Sequence, residues 1–295
     1  MTMTVLASMS RSIRQSSCRI LSLQRTVHNL PPLCIETVPI EEIDCHQFKP
    51  TDKASDPIST ALIPYYESET PVLLKGAVSD APAMTKWQSW EYFLRTVDSD
   101  SPCHAEIGGN YAKSERSNIQ FGDYIAYLQF FQEQYGRSGE TDPPAESLVY
   151  LAQNDIFPEL HEDYEIPQFC SKLGAVSLYS TMIWIGPYGC VSPLHQDPLD
   201  NAFMQFIGSK RALLYPPETY LYAGTDGNQS NTSPFDPEAT SIDTDRYPLL
   251  VEGHNQLPPA IVCTLLPGDL LHIPKQWWHH VRTIETSVSV NTWWR

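Results

Sequence analysis

The sequence predicts a mainly β domain, a sandwich or barrel of short strands with helices packed outside it. Three stretches carry this reading. Asn201 to Tyr215 is two apolar-rich runs divided by Gly208-Ser209, a two-residue hairpin signal. Ile261 to Ile273 is again two apolar runs, with Pro267-Gly268-Asp269 as the turn between them. Ser287 to Asn291 (SVSVN) alternates strictly, the period-2 pattern of a strand. Several short strands punctuated by turns suggest an all-β sandwich or barrel.

In chain order, residues 1–35 form a basic extension holding Arg11, Arg14, Arg19 and Arg25 and no acidic residue. On a helical wheel Arg11, Arg14 and Arg25 cluster on one side. Val5, Leu6, Met9, Ile13, Ile20 and Leu23 gather roughly opposite. That composition is of the kind found in mitochondrial transit peptides, and a disordered tail is the other reading. Residues 36–150 are expected to be helical or mixed and to pack on the barrel. A helix is predicted over 82–97, around Trp87, Trp90, Tyr92 and Phe93. A second starts at Gly122-Asp123 and runs through Tyr124, Tyr127, Leu128 and Phe131. Such aromatic stripes indicate core, here helices buttressing the barrel. Residues 137–146 read as a loop. Residues 151–295 hold the strands, with an acidic insert at 222–259 that carries Asp226, Asp236, Glu238, Asp243 and Asp245.

Composition narrows the class. The formal net charge is −16, and the excess of acid lies outside the first 35 residues. An acidic body disfavours direct nucleic-acid binding and favours a basic partner. No apolar run reaches the length of a membrane span. Seven cysteines without C-x-x-C spacing argue against a zinc ribbon or a disulfide framework, and fit a reducing compartment.

The chemistry centres on His195-Gln196-Asp197 and, further along, His279 and His280. In an extended segment residues i and i+2 share a face, so His195 and Asp197 point the same way. Pro193 and Pro198 bracket them and disfavour helix. Two imidazoles and a carboxylate are the ligand set of a non-haem Fe(II) oxygenase. His279 and His280 are adjacent on a strand, so only one of them enters the barrel.

The stretches SPLHQDPLDN, GSKRALLYPP, LLPGDLLHIPKQWWHHVR and SVSVNTWW, with PVLLKGAVSDAPAMTKW and VYLAQNDIFPEL upstream, resemble the JmjC family of 2-oxoglutarate-dependent oxygenases. They are most similar to its small JmjC-only protein hydroxylases, and the resemblance covers roughly residues 65–294. It implies a double-stranded β-helix, a jelly-roll or cupin-like barrel. It also implies Fe(II) held by His195, Asp197 and His279, the last selected by the family pattern W-H-x-V-R. Lys210 matches the residue that binds the distal carboxylate of 2-oxoglutarate. Tyr150, Ser192 and Asn201 match further contacts to that cosubstrate, and Trp184 and Asn291 match pocket-lining positions. The formal charges of Fe(II), Asp197, 2-oxoglutarate and Lys210 cancel, as a largely buried site requires.

The resemblance implies an O₂-dependent hydroxylase of a protein side chain, with Lys and Arg as candidates and succinate and CO₂ as coproducts. Lysine or arginine demethylation by the same chemistry is the alternative, as is a non-catalytic metal-binding interaction module. A cupin-type isomerase would not need Lys210, Tyr150 and Asn201 together. The partner expected is a basic protein or peptide, which the acidic insert would help recruit. No membrane association is expected, and the protein is expected to be a monomer. The basic extension points to mitochondria, the family resemblance to cytoplasm or nucleus.

Overall fold

The computed structural model describes residues 30–48 except 32, 56–108, 115–136, 143–174, 177–225, 227, 229–251 and 256–295. Nearly all of the Arg-rich extension, most of the 137–146 loop and Asp226 lie outside the described residues. Among the described residues, strands dominate. They are β1 (Thr37–Pro39), β2 (Glu42–Asp44), β3 (Val72–Lys75), β4 (Pro102–Ile107), β5 (Glu115–Gln120), β6 (Val149–Asp155) and β7 (Leu178–Gly186). After these come β8 (Val191–Gln196), β9 (Asp200–Ile207), β10 (Lys210–Tyr215), β11 (Ala260–Leu265), β12 (Leu270–Ile273), β13 (Trp278–Thr283) and β14 (Ser287–Trp294).

They form two sheets. One has the order β1-β11-β10-β13-β8, the other β2-β3-β12-β9-β14-β7-β6-β4-β5. Pairing is antiparallel except for β1 with β11 and β2 with β3. Ala212, Leu214 and Val281 from the first sheet share one apolar core with Phe203, Trp184 and Trp293 from the second. Two packed sheets agree with the sandwich that the strand pattern predicts and with the jelly roll that the family resemblance implies.

Gly208-Ser209 does not close a hairpin, contrary to the sequence reading. β9 pairs with β12 and β14, whereas β10 pairs with β11 and β13. The two residues carry the chain from one sheet to the other. Gly208 has φ +64°, and a Cβ there would sit 2.3 Å from the Thr286 carbonyl oxygen, so the crossover is tight enough to demand glycine. The Pro267-Gly268-Asp269 turn likewise passes from β11 in one sheet to β12 in the other.

β14 shows which face is the interior. Asn291 and Trp293 stand opposite Phe203 and Asn201 of β9, and these point between the sheets. Val290 and Thr292 stand opposite Met204 and Ala202 and point towards the helices. The strand therefore turns its polar set inward and its apolar set outward under a helical cover, the reverse of a half-solvated strand. A polar interior is tolerated only where its groups find partners.

The cover is made by α1 (Pro57–Glu67), α2 (Ala83–Lys86), α3 (Trp90–Thr96) and α4 (Phe121–Tyr135). The predicted 82–97 helix is two helices. Ser89 caps the second through Glu91 N–H, 3.2 Å. Between them Trp87 donates its indole N–H to buried Asp163 at 2.8 Å, and Tyr92 donates to the same carboxylate at 2.7 Å. Trp87 also meets Phe206 of β9 edge-on, ring centroids 5.1 Å apart. In α4, Phe121, Tyr124, Ile125, Leu128 and Phe131 are buried at helical spacing. The Tyr124 hydroxyl donates to the Ile185 carbonyl of β7 and accepts from Leu151 N–H of β6, which pins the helix across both strands. α1 starts at Asp56, whose carboxylate accepts from Ser59 N–H at 3.0 Å, with Pro57 in the first turn.

Candidate metal centre and cosubstrate pocket

β8 and β13 run antiparallel with His195 directly opposite His279, and β10 places Leu214 opposite His279 on its other side. Period 2 along these strands puts Lys210, Ala212 and Leu214 on the face of His279 and Val281, towards the interior. Asp197 follows the last residue of β8 and shares the side of His195. The two imidazole rings lie 4.1 Å apart, centroid to centroid. Asp197 Oδ2 is 3.6 Å from His279 Nε2, and one ligand atom from each of the three side chains lies within 4.8 Å of the others.

The backbone fixes the tautomers. Nδ1 of His195 is 2.7 Å from the Pro193 carbonyl, and Nδ1 of His279 is 3.0 Å from the Trp277 carbonyl. A carbonyl only accepts, so each Nδ1 carries the proton and each Nε2 presents its lone pair. Burial, with neighbouring His195, holds His279 down to about 4, so it is the neutral imidazole a metal requires. Gln276 N–H donates to the Asp197 carbonyl at 2.7 Å, from a residue at φ 63°. Trp293 donates its indole N–H to Asp197 Oδ2 at 2.9 Å. A short bridge between His195 and Thr232, with Gln196 N–H donating to the Asn231 carbonyl, lays the insert along β8.

His280 faces the other way. It stands opposite Leu213, beneath the insert, 3.7 Å from Glu238. Glu238 pairs with Arg211 of β10 and Arg282 of β13, which stand opposite each other on the outward face, next to inward-facing Lys210 and Val281. Burial alone would raise the Glu238 carboxyl; His280, Arg282 and Arg211 outweigh it and hold the group below the ordinary range. Glu238 is therefore a buried tie between insert and sheet, not one of the solvent-facing acids that the sequence reading counted for partner recruitment. With Asp236 and His280 it forms a second cluster of metal-binding residue types. Its oxygens are engaged by two guanidinium groups, which would repel a cation. His272 is fully buried. It lies on the helix side of β12, near Tyr66 and Trp294, away from the site.

The remaining candidates lie on the interior faces of the two sheets. Lys210 is 0% exposed, and its ammonium donates to the Tyr150 hydroxyl at 2.9 Å. It lies 5.1 Å from the Tyr150 ring centroid and 5.6 Å from that of Phe203. No carboxylate pairs with it among the described residues. Burial pushes it down to about 7. The Ser192 side chain hydrogen-bonds the Tyr150 phenol. Gly186 makes room for that ring: a Cβ there would sit 2.6 Å from Tyr150 Cδ2. Trp184 donates to Asn291 Oδ1 at 2.7 Å, and Asn291 Nδ2 donates to Asn201 Oδ1 at 3.1 Å. The nine residues singled out in the sequence thus converge on one interior. The sequence reading missed Trp293, Phe203 and Gln276. Trp293 was within its reach, because it lies two residues beyond Asn291 on an alternating strand.

These residues fit a divalent metal with a bidentate acid beside it. The donor set is neutral nitrogen and carboxylate oxygen, and the buried Lys210 ammonium on the same sheet face as His279 has no carboxylate partner among the described residues. Residues 60–295 match the family described as the cupin-like domain. The chain is 35% identical to the Drosophila melanogaster protein named Jumonji C domain-containing protein 5, over 78% of this chain and 55% of that one. It is 30% identical to the Arabidopsis thaliana protein named lysine-specific demethylase JMJ30, over 92% and 60%. It is 35% identical to the Xenopus tropicalis protein named lysine-specific demethylase 8, over 78% and 49%. The chain belongs to the cupin-like JmjC family of Fe(II)/2-oxoglutarate oxygenases. It spans about half the length of the curated relatives it matches.

Proposed function

We propose that this chain is a working Fe(II)- and 2-oxoglutarate-dependent dioxygenase that hydroxylates a protein side chain. The observation that carries this reading is Lys210, a buried ammonium without a carboxylate partner among the described residues, in the same interior as His195, Asp197 and His279. A lysine is fully buried almost only when something pairs with it, and a dicarboxylate cosubstrate supplies that pairing.

His195, Asp197 and His279 would hold the iron through two Nε2 atoms and one carboxylate. The bound iron and 2-oxoglutarate would supply the oxidising chemistry, activating O₂ for attack on a substrate C–H bond with release of succinate and CO₂. Lys210, with the Tyr150 hydroxyl beside it, binds and orients the distal carboxylate. The Asn201 amide and the Ser192 hydroxyl add polar contacts. Phe203, Val281 and Leu214 exclude water and raise the strength of each charged contact. The Pro193 and Trp277 carbonyls keep the proton on Nδ1 of each imidazole.

A lysine- or arginine-bearing peptide is the substrate this reading favours. The acidic balance of the chain and exposed Asp243 and Asp245 in the insert support a basic partner. Demethylation is the second reading, favoured by two relatives named lysine-specific demethylases. Hydroxylation adds one oxygen to the peptide and demethylation removes one methylene, so mass spectrometry of candidate peptides separates them. The cofactor assignment is tested by anaerobic addition of Fe(II) and 2-oxoglutarate. A visible charge-transfer band should form with the parent protein and be absent from Asp197→Ala. No band with either protein would argue for a non-catalytic module.

A further inference from the structure

The interior holds a chain of three polar side chains: Trp184 on β7, Asn291 on β14 and Asn201 on β9. Asn201 and Asn291 are 3% and 0% exposed. An amide is symmetrical in shape but not in hydrogen bonding, because its oxygen only accepts and its NH₂ only donates. Turning either amide over would cost almost nothing sterically and would reverse what it offers to its neighbours. An indole has no such freedom. Its N–H can only donate.

Trp184 therefore sets the sense of the whole chain. Its N–H requires the Asn291 oxygen, 2.7 Å away. That turns the Asn291 NH₂ towards Asn201, where it requires the Asn201 oxygen, 3.1 Å away. The Asn201 NH₂ is left facing elsewhere, with no acceptor among the described residues. It lies on the interior face of β9, two residues before Phe203, which flanks the Lys210 ammonium. Trp184 itself packs on the Tyr150 ring, centroids 5.9 Å apart. We infer that Trp184, acting through Asn291, is a positioning residue that locks the Asn201 amide with its NH₂ towards the cosubstrate pocket, which makes that wall a donor to an anion. The inference rests on the reading of the pocket as a 2-oxoglutarate site and adds the device that sets the polarity of one wall.

Without that lock the Asn201 amide could present its oxygen to a carboxylate. A buried acceptor facing an acceptor loses a hydrogen bond and adds repulsion. Lys210 and the metal would then bind the acid against an unfavourable wall.

The test is binding of 2-oxoglutarate to the Mn(II)-loaded protein by titration calorimetry, with Mn(II) affinity measured separately. In Asn291→Asp the ionised side chain only accepts, so Asn201 turns its NH₂ inward and its oxygen to the pocket. The protonated acid can still accept from Trp184 and donate to Asn201, which restores the original sense. The expected result is a loss of about tenfold in 2-oxoglutarate affinity relative to the parent at the alkaline end. The deficit should close as the pH falls, and Mn(II) affinity should be unchanged. Trp184→Phe introduces no charge, so its affinity, measured beside Asn291→Asp, separates the lock from direct repulsion between the new carboxylate and the acid. Equal affinity at every pH, or a deficit that does not vary with pH, overturns the inference. Should Asn291→Asp fail to fold, Trp184→Phe carries the test. A several-fold loss of 2-oxoglutarate affinity with Mn(II) affinity retained supports the lock, and parental affinity refutes it. Lys210→Met separates the two levels. If it binds 2-oxoglutarate as the parent does, the cosubstrate reading itself fails. If it abolishes binding while both other variants bind normally, only the polarity lock fails.

Discussion

The indole N–H of Trp293 donates to Oδ2 of Asp197 at 2.9 Å, and that same oxygen lies 3.6 Å from His279 Nε2. Asp197 stands just past the end of β8, where the strand ladder no longer holds it. Its orientation is set from the opposite sheet by Trp293 of β14 and by the Gln276 N–H on its own carbonyl.

Trp293→Phe keeps the ring and removes the donor. Outer partners of metal ligands typically contribute tenfold or more to affinity, so Mn(II) binding should weaken by about tenfold with the melting temperature little changed. Calorimetric titration with Mn(II) measures this. Parental affinity would mean that Asp197 is held adequately by its backbone alone.

Lys210 makes the stability of the unliganded protein depend on pH. Its folded-state value is pushed from 10.5 down to about 7 by burial. Between those values the unfolded chain binds a proton that the folded chain does not, so stability rises with pH through that window. Below about 7 the cost of the buried charge is present in full. Lys210→Met removes the cost. The variant should exceed the parent in stability at pH 6, and the difference should shrink above pH 7 by at most about 1.4 kcal/mol per pH unit. Denaturant titrations across pH give the comparison, and a difference independent of pH would contradict the buried-cation account.

Glu238→Gln should destabilise the fold by about 3 kcal/mol or more, because it leaves Arg211 and Arg282 under the insert without their counter-ion. His280→Gln should leave Mn(II) affinity intact, whereas His279→Ala should abolish it. Urea unfolding and metal titration measure the two effects. A Mn(II)-binding defect in His280→Gln would reverse the assignment of the third ligand.

Asp243→Asn with Asp245→Asn tests the role of the insert in recruitment. The double variant should raise KM for a Lys- or Arg-bearing peptide with kcat retained. Unchanged KM would remove the insert from substrate binding.

The parts of the site that follow a local rule were legible in the sequence. The i, i+2 rule placed His195 with Asp197 and separated His279 from His280. The Gly208-Ser209 connection was misread because a two-residue turn has the same local chemistry in a hairpin and in a crossover. Only the partners of β9 and β10 tell them apart, and those lie far along the chain. Glu238 was misread for a related reason. Its burial depends on Arg211 and Arg282, 27 and 44 residues away. The helix over 82–97 is divided because Trp87 turns to Asp163, 76 residues on. The polar face of β14 carried a signal that composition alone could not interpret, since Ser289 and Asn291 point inward to partners on β7 and β9, and Trp293 to Asp197 just past β8.

Succinate formation from 2-oxoglutarate with Fe(II) and O₂, without added peptide, compares the parent protein with Asp197→Ala. A catalytic iron centre at His195, Asp197 and His279 gives slow uncoupled turnover by the parent and none above background by the variant. Equal succinate from both proteins would contradict the assignment of His195, Asp197 and His279 as a catalytic iron centre.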